Sequence, residues 1–365
     1  MEQLYNKYWW LTPLCIFLIW RVGLEVAGRL FFDPSISSPW TQLPHPPLWV
    51  RWDSGWYLSI VEHGYSLRAD VMSNVTFFPL FPLFWKILSI LLPLSLTTIG
   101  LLISQSAAGL GFIFFFRLIQ ERYGHPFALK SLVALAVFPS SFFLISAYSE
   151  ALFFLLAVLF FWCLQKNRLV TAAILAGLLS AARPVGILLW PTLLVWIAHK
   201  KLFTPLAIWQ KIIAVAAPPL GLILFSVYLW GTVGNPLAWL HGQTAAGREL
   251  LSPLSLLFAY SKNIITRENF WLRHLGELAA FIFVTLNLRR LYKLEPMYAL
   301  YVGLSLLPAL FSNTLTSLQR FCLLIIPLFI VIAHYKKVAY TIYILVSLPL
   351  LLYSISQFVN WHWAG

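Results

Sequence analysis

We predict an all-α, polytopic membrane protein with about eleven transmembrane helices in one domain, residues 1–365. The first reason is composition: 60% of the residues are hydrophobic and 17% are aromatic, while 10% are charged. In soluble domains about a quarter of all residues are charged, so a soluble globular fold is excluded. The second reason is the arrangement of segments along the chain: apolar runs long enough to span a membrane alternate with short basic segments.

The first apolar run covers residues 8–28. It shows no small-residue cleavage site, so we interpret it as a signal anchor rather than a cleaved leader. Arg21 and Glu25 lie four residues apart on one face of this predicted helix. We expect them to form an ion pair, because charged side chains within a membrane helix need a partner.

A polar, proline-rich segment follows, and the next apolar run, 77–95, begins with prolines that oppose a regular helix. We place this run along the membrane, so that a first outer loop, 29–98, carries membrane-parallel helices. The later apolar runs are interpreted as crossings. Their predicted positions are 99–116, 127–146, 148–164, 169–182, 185–199, 211–230, 276–290, 296–312, 320–335 and 338–358.

The net charge of +13 is compatible with nucleic-acid binding, but basic residues in a membrane protein first determine orientation and contact anionic lipids. The basic connections all fall on one side if 77–95 does not cross, and that side is cytoplasmic. We therefore predict membrane lipids as partners and no nucleic acid. The loops 29–98 and 231–275 then face outward, as do the junctions at 148–150, 183–184 and 317–320.

The stretch RWDSGWY, residues 51–57, places a carboxylate among aromatic side chains next to a long apolar run. In a chain with 12 acidic residues, Asp53 is the first candidate for chemistry. A helix cap or a solvated loop residue is the plainer alternative. Trp52 and Trp56 would hold Asp53 at the membrane interface, where aromatic rings concentrate, and we favour a functional role.

Three more charged residues lie at outward junctions. Glu150 precedes an apolar run, and both a helix cap and a catalytic role remain open for it. Arg183 precedes Pro184 at a break between two predicted spans, and Arg320 begins another span. Each arginine either reaches lipid headgroups or holds a phosphate with its planar guanidinium.

The sequence contains no P-loop, no GxGxxG, no nucleophile elbow and no spacing typical of a metal site. Its three cysteines lie in separate apolar runs, which argues against a disulfide framework. There is also no DxD pair, and this favours a lipid-linked sugar donor over a metal-bound nucleotide sugar. We predict no cofactor and no metal ligands, and dependence on a divalent metal is left open.

Six blocks together resemble one family of membrane enzymes, the PIG-V-type mannosyltransferases of the GT-C class. Eukaryotic members add the second mannose to the glycosylphosphatidylinositol precursor. This compact chain looks similar to bacterial relatives, for which that acceptor is not expected. It departs from the family pattern at Pro184, Val185 and Phe321. The blocks are RWDSGWYLSIVEHGY (51–65), FFPLFP (77–82), FPSSFFLISAYSEALF (138–153), AARPVGIL (181–188), GNPLAWLHGQ (234–243) and SLQRFCLLIIPLF (317–329).

The resemblance implies a GT-C-like helical bundle that transfers a hexose, with mannose expected, from a polyprenyl-phosphate donor to a lipid or glycan acceptor, with inversion. Asp53 would act as the general base, and Glu150 is the second catalytic candidate. Arg183, Arg320 and Arg51 are the candidates for binding the donor phosphate. The candidates for substrate binding are Trp52, Trp56, Tyr57, His63, Tyr148, Asn235 and Gln243.

The alternative function is a polytopic lipid or sugar transporter, or a flippase, without transferase activity. Transporters are typically built from two repeated halves with charges near the bilayer midplane, and neither RWDSGWY nor YSE has a second copy here. A structural subunit that recruits an enzyme also stays open. We expect a multi-pass protein of the bacterial plasma membrane, or of the endoplasmic reticulum in a eukaryote, with a non-cytoplasmic active site.

Overall fold

A computed structural model describes residues 8–39, 43, 45–68, 72–202, 206–245, 248, 252–266 and 271–362. No β-strand occurs in this part of the chain, which confirms the all-α prediction. The chain divides into two compact units, each formed by several segments. The single domain 1–365 stays a prediction. The first unit comprises Met1–Glu62, Leu80–Trp162 and Phe329–Ala364, and the second comprises His63–Pro79, Cys163–Leu328 and Gly365.

The helices vary widely in length, from five residues to 28. Three short 3₁₀ segments, Asn74–Thr76, Ser141–Leu144 and Pro184–Leu188, connect some of them. In chain order the α-helices are α1 (Leu11–Phe31), α2 (Asp53–His63), α3 (Leu80–Leu91), α4 (Leu96–Tyr123), α5 (His125–Ala136), α6 (Glu150–Gln165), α7 (Leu169–Ala182), α8 (Leu189–His199), α9 (Ile208–Val233), α10 (Ala238–Ala245), α11 (Pro253–Ile265), α12 (Trp271–Leu294), α13 (Pro296–Leu310), α14 (Leu318–Cys322), α15 (Ile326–Ala333) and α16 (Lys337–Val359).

Helix α4 forms the centre of the first unit. Large side chains approach its glycines closely, because a Cβ atom on Gly100 would lie 2.5 Å from the ring of Trp85. A Cβ on Gly111 would likewise lie 2.6 Å from Phe154. Such helix faces without side chains allow aromatic rings to pack directly on the backbone.

The predicted ion pair in α1 is present, with Arg21 Nη1 and Glu25 Oε2 3.0 Å apart. Glu25 also accepts hydrogen bonds from Arg29 Nε at 2.8 Å and from Trp49 Nε1 at 2.9 Å. The Trp49 bond attaches α1 to the segment that precedes α2. A charged group in an apolar helix is thereby neutralised and given a structural role.

In the second unit, α7 and α9 pack with their backbones in close approach. A Cβ on Gly177 would lie 2.5 Å from Ala217 O, and one on Gly221 would lie 2.2 Å from Gly177 O. Ser180 Oγ donates to Pro218 O at 2.8 Å. That carbonyl belongs to α9, so the bond joins the two helices. The pairing holds the C-terminal end of α7, from which Arg183 extends.

Within the described residues, three helices are long and apolar enough to cross a membrane: α4, α9 and α16. Several other apolar helices have 10–17 residues. At 1.5 Å per residue, such a helix is shorter than a hydrocarbon core of about 30 Å. The count of about eleven crossings therefore remains a prediction.

Two predicted spans are not continuous helices. Span 127–146 is divided, because α5 ends at Ala136 and Pro139 follows before the 3₁₀ segment Ser141–Leu144. Span 320–335 is divided into α14 and α15, with Pro327 at the second position of α15. In both places a proline lies close to the interruption, which apolar periodicity alone does not reveal.

The described part of residues 29–98, which we predict to be the first outer loop, contains the two expected helices, α2 and α3, before α4 begins at Leu96. Lys86 Nζ on α3 donates to Val61 O near the end of α2 at 2.9 Å. The bond joins the two helices and satisfies a carbonyl of the last turn of α2. Their predicted orientation parallel to the membrane stays a prediction.

Candidate functional site

Asp53 is the first residue of α2, and a tyrosine hydroxyl fixes its backbone. The N–H of Asp53 donates to Tyr148 Oη at 3.0 Å, and the Tyr148 hydroxyl donates to Arg51 O at 3.1 Å. Between these two residues Trp52 has φ +49°, a value that is rare for a bulky side chain. The buried hydroxyl thus satisfies both ends of a strained turn that positions Asp53.

Glu150 is the first residue of α6 and is fully buried, with 0% exposure. The preceding Ser149 is tied to α2, because the Tyr57 hydroxyl donates to Ser149 Oγ at 2.8 Å. Both candidate carboxylates, Asp53 and Glu150, therefore start helices within the first unit, and tyrosines link the two segments. The positive end of a helix favours a negative side chain at this position.

Arg51 lies inside the first unit and is 2% exposed. Its Nη1 donates to Pro46 O at 3.0 Å, and its Cζ lies 4.5 Å from the centroid of the Trp361 ring. Burial lowers the pKa of Arg51 to about 10, so the guanidinium keeps its charge at neutral pH. The observed contacts hold the first loop against the C-terminal segment. Binding of the donor phosphate by Arg51 stays a prediction.

The aromatic candidates around Asp53 have different surroundings. Tyr57 and Tyr148 are buried, and their hydroxyls make the bonds described above. Trp52 is half-buried and contacts Trp361 edge to face, with ring centroids 6.1 Å apart. Trp56 is also half-buried. His63, another predicted substrate residue, is exposed in the last turn of α2.

Arg183 lies at the break between two helices that the sequence Arg183-Pro184 predicts. Helix α7 ends at Ala182, and Arg183 is extended, with φ −158° and ψ 152°, as expected before Pro184. Gly186 makes the sharp turn possible, because a Cβ there would lie 2.0 Å from Leu179 O. The N–H of Arg183 still donates to Leu179 O at 3.1 Å, and the chain leaves the helical path after this bond.

Arg320 lies on the short helix α14 and is 6% exposed. The helix follows Ser317, whose φ of +69° is another left-handed, non-glycine conformation. The Cζ atoms of Arg183 and Arg320 lie 5.3 Å and 5.6 Å from the centroid of the Phe321 ring. The second unit thus brings together the two predicted phosphate-binding arginines around one aromatic side chain.

The block GNPLAWLHGQ forms the start of α10 and the turn before it. Asn235 Oδ1 accepts from Leu237 N at 2.9 Å, and Asn235 Nδ2 lies 2.8 Å from His241 Nδ1. Gln243 Oε1 accepts from Arg248 Nη1 at 3.2 Å. In the structure these amides organise the polypeptide of the second unit. Their predicted contacts with substrate stay a prediction.

A polar network around Glu277 of α12 was not predicted from the sequence. Glu277 is 1% exposed and accepts from Arg273 Nε at 3.0 Å and from the Tyr260 hydroxyl at 2.9 Å. Burial and the charge of Glu277 raise the pKa of Tyr260 to about 12, so its hydroxyl remains a donor. Tyr260 also accepts from Leu315 N at 2.6 Å. A charged pair spaced i, i+4 in an apolar run was the available signal.

Arg248 was missed as well. Its Cζ lies 5.6 Å from the centroid of Phe321, so it shares that ring with Arg183 and Arg320. Its position in the loop 231–275, close to a recognised block, was the only signal in the sequence. Among the described residues, no three His, Cys, Asp or Glu side chains could together hold a metal ion.

The fold is similar to a solved structure of the oligosaccharyltransferase from Archaeoglobus fulgidus, tethered with an acceptor peptide containing the NVT sequon via a disulfide bond. The TM-score is 0.51 and the sequence identity is 14%. The likeness covers 100% of this chain and 56% of that chain, so this protein spans about half the length of that neighbour. That neighbour is of the GT-C class, and the likeness to it is one of fold.

The family described as mannosyltransferase (PIG-V) matches residues 34–230, more than half of the chain. The protein therefore belongs to the mannosyltransferase (PIG-V) family. Membership of this family favours the predicted glycosyltransferase over the transporter alternative. The matched region contains both candidate carboxylates and Arg183, whereas Arg248 and Arg320 lie after it. No curated protein matches the chain.

We predict that Tyr148→Phe lowers the turnover number for sugar transfer by about 10- to 100-fold and leaves KM unchanged. Loss of the hydroxyl releases the backbone of Asp53, and a displacement of about 1 Å in a reacting group can cost 10²-fold in rate. It also leaves the Asp53 N–H without this partner, which costs about 1–3 kcal/mol of stability, whereas Arg51 O keeps its bond from Ser54 N at 3.0 Å. Steady-state kinetics and thermal unfolding measure the two effects.

Tyr301→Phe is the matched control, because Tyr301 is equally buried and its hydroxyl donates to Leu324 O at 3.2 Å in the second unit. We expect a comparable loss of stability with normal turnover. Normal turnover in a folded Tyr148→Phe protein would show that the hydroxyl does not position Asp53.

Proposed function

We propose that this enzyme transfers a hexose from a polyprenyl-phosphate donor to a hydroxyl of a lipid or glycan acceptor on the non-cytoplasmic side of the membrane. Mannose is the sugar that the family suggests. The observation that carries the proposal is the junction in which Tyr148 fixes the backbone of Asp53 at the start of α2. A base held in this way suits proton removal from an acceptor hydroxyl.

In the proposed reaction, the acceptor oxygen attacks the anomeric carbon while its proton passes to the Asp53 carboxylate. The bond between the anomeric carbon and the phosphate oxygen breaks, and its electron pair leaves with the lipid phosphate. A phosphate is a weak base, so cationic groups rather than a general acid stabilise its departure. Arg183 and Arg320 supply this charge. A single displacement inverts the anomeric centre, from a β-linked donor to an α-linked product.

Glu150 is assigned to the same reaction as a second carboxylate. It starts α6 and follows Ser149, which Tyr57 attaches to α2. Its burial and its position at a helix N-terminus are equally suited to a structural cap. Substitution of the two carboxylates separates these roles.

The shorter apolar helices are assigned to the remaining membrane crossings, for a total of about eleven. In this arrangement α2 and α3 lie along the outer surface of the membrane. We further assign the protein to the bacterial plasma membrane, because its cytoplasmic connections are short. No cofactor is assigned.

The purified full-length protein in lipid nanodiscs should transfer radiolabel from polyprenyl-phosphate mannose to total membrane lipids or glycans. Polyprenyl-phosphate glucose and nucleotide sugars are the competing donors, and Asp53→Asn protein is the blank. We expect transfer from the lipid-linked mannose alone. Turnover of a nucleotide sugar in the absence of a lipid carrier would contradict the proposed donor.

Asp53→Asn should reduce turnover by about 10²–10⁴-fold, because the amide keeps the shape of the side chain but accepts no proton. Donor binding should be retained, because no cationic group is lost. The matched control is Glu62→Gln, since Glu62 is an exposed acidic residue on the same helix. We expect normal activity from that variant.

Glu150→Gln is measured in the same assay. A small effect assigns Glu150 to capping of α6, whereas a loss equal to that of Asp53→Asn assigns both carboxylates to the chemistry. A folded, monodisperse Asp53→Asn protein with near-normal turnover would exclude Asp53 as the general base.

A further inference from the structure

Residues 313–317 form a non-helical segment that leads into α14 in the second unit. Leu315 and Ser317 are buried, and Ser317 has the left-handed φ of +69° given above. Buried backbone groups outside a helix need other hydrogen-bonding partners, and a strained residue persists only where surrounding contacts hold it. The contacts of this segment therefore decide where α14 begins and where its residue Arg320 lies.

Helix α12 supplies some of these contacts from one face. Arg273, Gly276 and Glu277 are spaced i, i+3 and i+4, so they lie on the same side of the helix. A Cβ atom on Gly276 would lie 2.3 Å from Nε2 of Gln319, the residue before Arg320. The side of α12 that carries the buried Glu277 is thus the side against which α14 packs.

A closed ring of hydrogen bonds joins α12 to the segment. Glu277 accepts from Arg273 Nε at 3.0 Å and from the Tyr260 hydroxyl at 2.9 Å. Tyr260 gives its one hydroxyl proton to Glu277, so in its 3.0 Å contact with Thr314 Oγ1 the threonine is the donor. Thr316 then donates to Thr314, and Arg273 donates to Thr316. The direction of every bond in the ring is thereby determined.

The ring also fixes the backbone that enters α14. The Tyr260 oxygen accepts from Leu315 N at 2.6 Å. The carbonyl of Leu315 accepts in turn from the N–H of Leu318, the first residue of α14, at 2.8 Å. Contacts therefore run without a gap from the Glu277 carboxylate, through Tyr260 and Leu315, to the first turn of α14.

We propose that Glu277 and Tyr260 are positioning residues of the phosphate-binding site, and that they act through Arg320 by fixing the start of the helix that carries it. This inference rests on the proposed function, in which Arg320 binds the lipid phosphate. A helix of five residues has few internal hydrogen bonds with which to hold its own position. The ring supplies this order from α11 and α12, before the phosphate arrives.

Position 277 requires a carboxylate because both of its oxygens accept hydrogen bonds. One oxygen accepts from Arg273 and the other from Tyr260. The amide of glutamine has one acceptor oxygen and an NH₂ group that donates. Glu277→Gln therefore keeps the volume of the side chain, but it leaves one of the two donors without its partner and opens the ring.

Binding of a lipid phosphate to the purified full-length protein tests the inference without any need for turnover. Farnesyl phosphate, and farnesol as the probe without a phosphate, are titrated into the protein in nanodiscs and followed by calorimetry. We expect Glu277→Gln to bind farnesyl phosphate about 5- to 30-fold more weakly, the loss typical of one buried hydrogen bond. Farnesol affinity should not change. Hydrogen exchange of the amides in 314–322 should become faster.

A double-mutant cycle separates positioning from a general loss of stability. If Glu277 acts through Arg320, its substitution has no further effect once Arg320 is absent. We therefore expect the double variant Glu277→Gln, Arg320→Ala to bind farnesyl phosphate no more weakly than Arg320→Ala alone. Additive losses would overturn the inference, because Glu277 would then influence the phosphate by another route.

Glu295→Gln is the matched control, because Glu295 is another buried carboxylate of the second unit, at the start of α13. We expect this variant to bind farnesyl phosphate as the wild type does, with unchanged hydrogen exchange in 314–322. Tyr260→Phe removes the oxygen that accepts from Leu315 N, and we expect it to weaken farnesyl phosphate binding as Glu277→Gln does. This variant carries the test if Glu277→Gln does not fold.

Unchanged affinity for farnesyl phosphate in folded Glu277→Gln and Tyr260→Phe proteins would overturn the positioning role. If the wild type transfers sugar normally in that case, the inference falls and the proposed function stands. Non-additive losses of phosphate affinity in the cycle, found together with a wild type that transfers no sugar, would support the positioning role and contradict the proposed function.

Discussion

A buried hydroxyl holds together the part of the structure on which the proposed chemistry depends. The first N–H groups of a helix have no partner within the helix, and apolar surroundings make an unsatisfied group costly. Tyr148 supplies that partner for Asp53 and donates in turn to Arg51 O. The intervening Trp52 has a strained φ of +49°, which costs on the order of 1–3 kcal/mol. The two hydrogen bonds offset this strain, and the Asp53 backbone is fixed as a result.

In the second unit, three arginine side chains lie near one aromatic ring. The face of an aromatic ring attracts cations, and Phe321 offers that attraction to three guanidinium groups at once. In the proposed reaction, charge develops on the departing phosphate. Cations positioned in advance for that charge require no rearrangement when it appears.

The features that could be predicted from sequence are those set by local rules. The Arg21–Glu25 pair follows from spacing along one helix, and the break at Arg183 follows from the proline after it. Tertiary contacts gave no such signal. Arg248 and Phe321 are 73 positions apart in the chain, and nothing in composition or periodicity indicates that they meet. The helix ends hidden inside apolar runs were missed because a buried short helix and part of a membrane span have the same apolar pattern.

The stereochemistry of the product tests the central claim most directly, because it reports whether the sugar is transferred in one displacement. A β-linked polyprenyl-phosphate mannose donor would be supplied to the full-length protein, and the anomeric configuration of the initial product determined by NMR. Catalysis by Asp53 as a general base predicts an α-linked product. A β-linked product would require a covalent or otherwise two-step route and would contradict the mechanism.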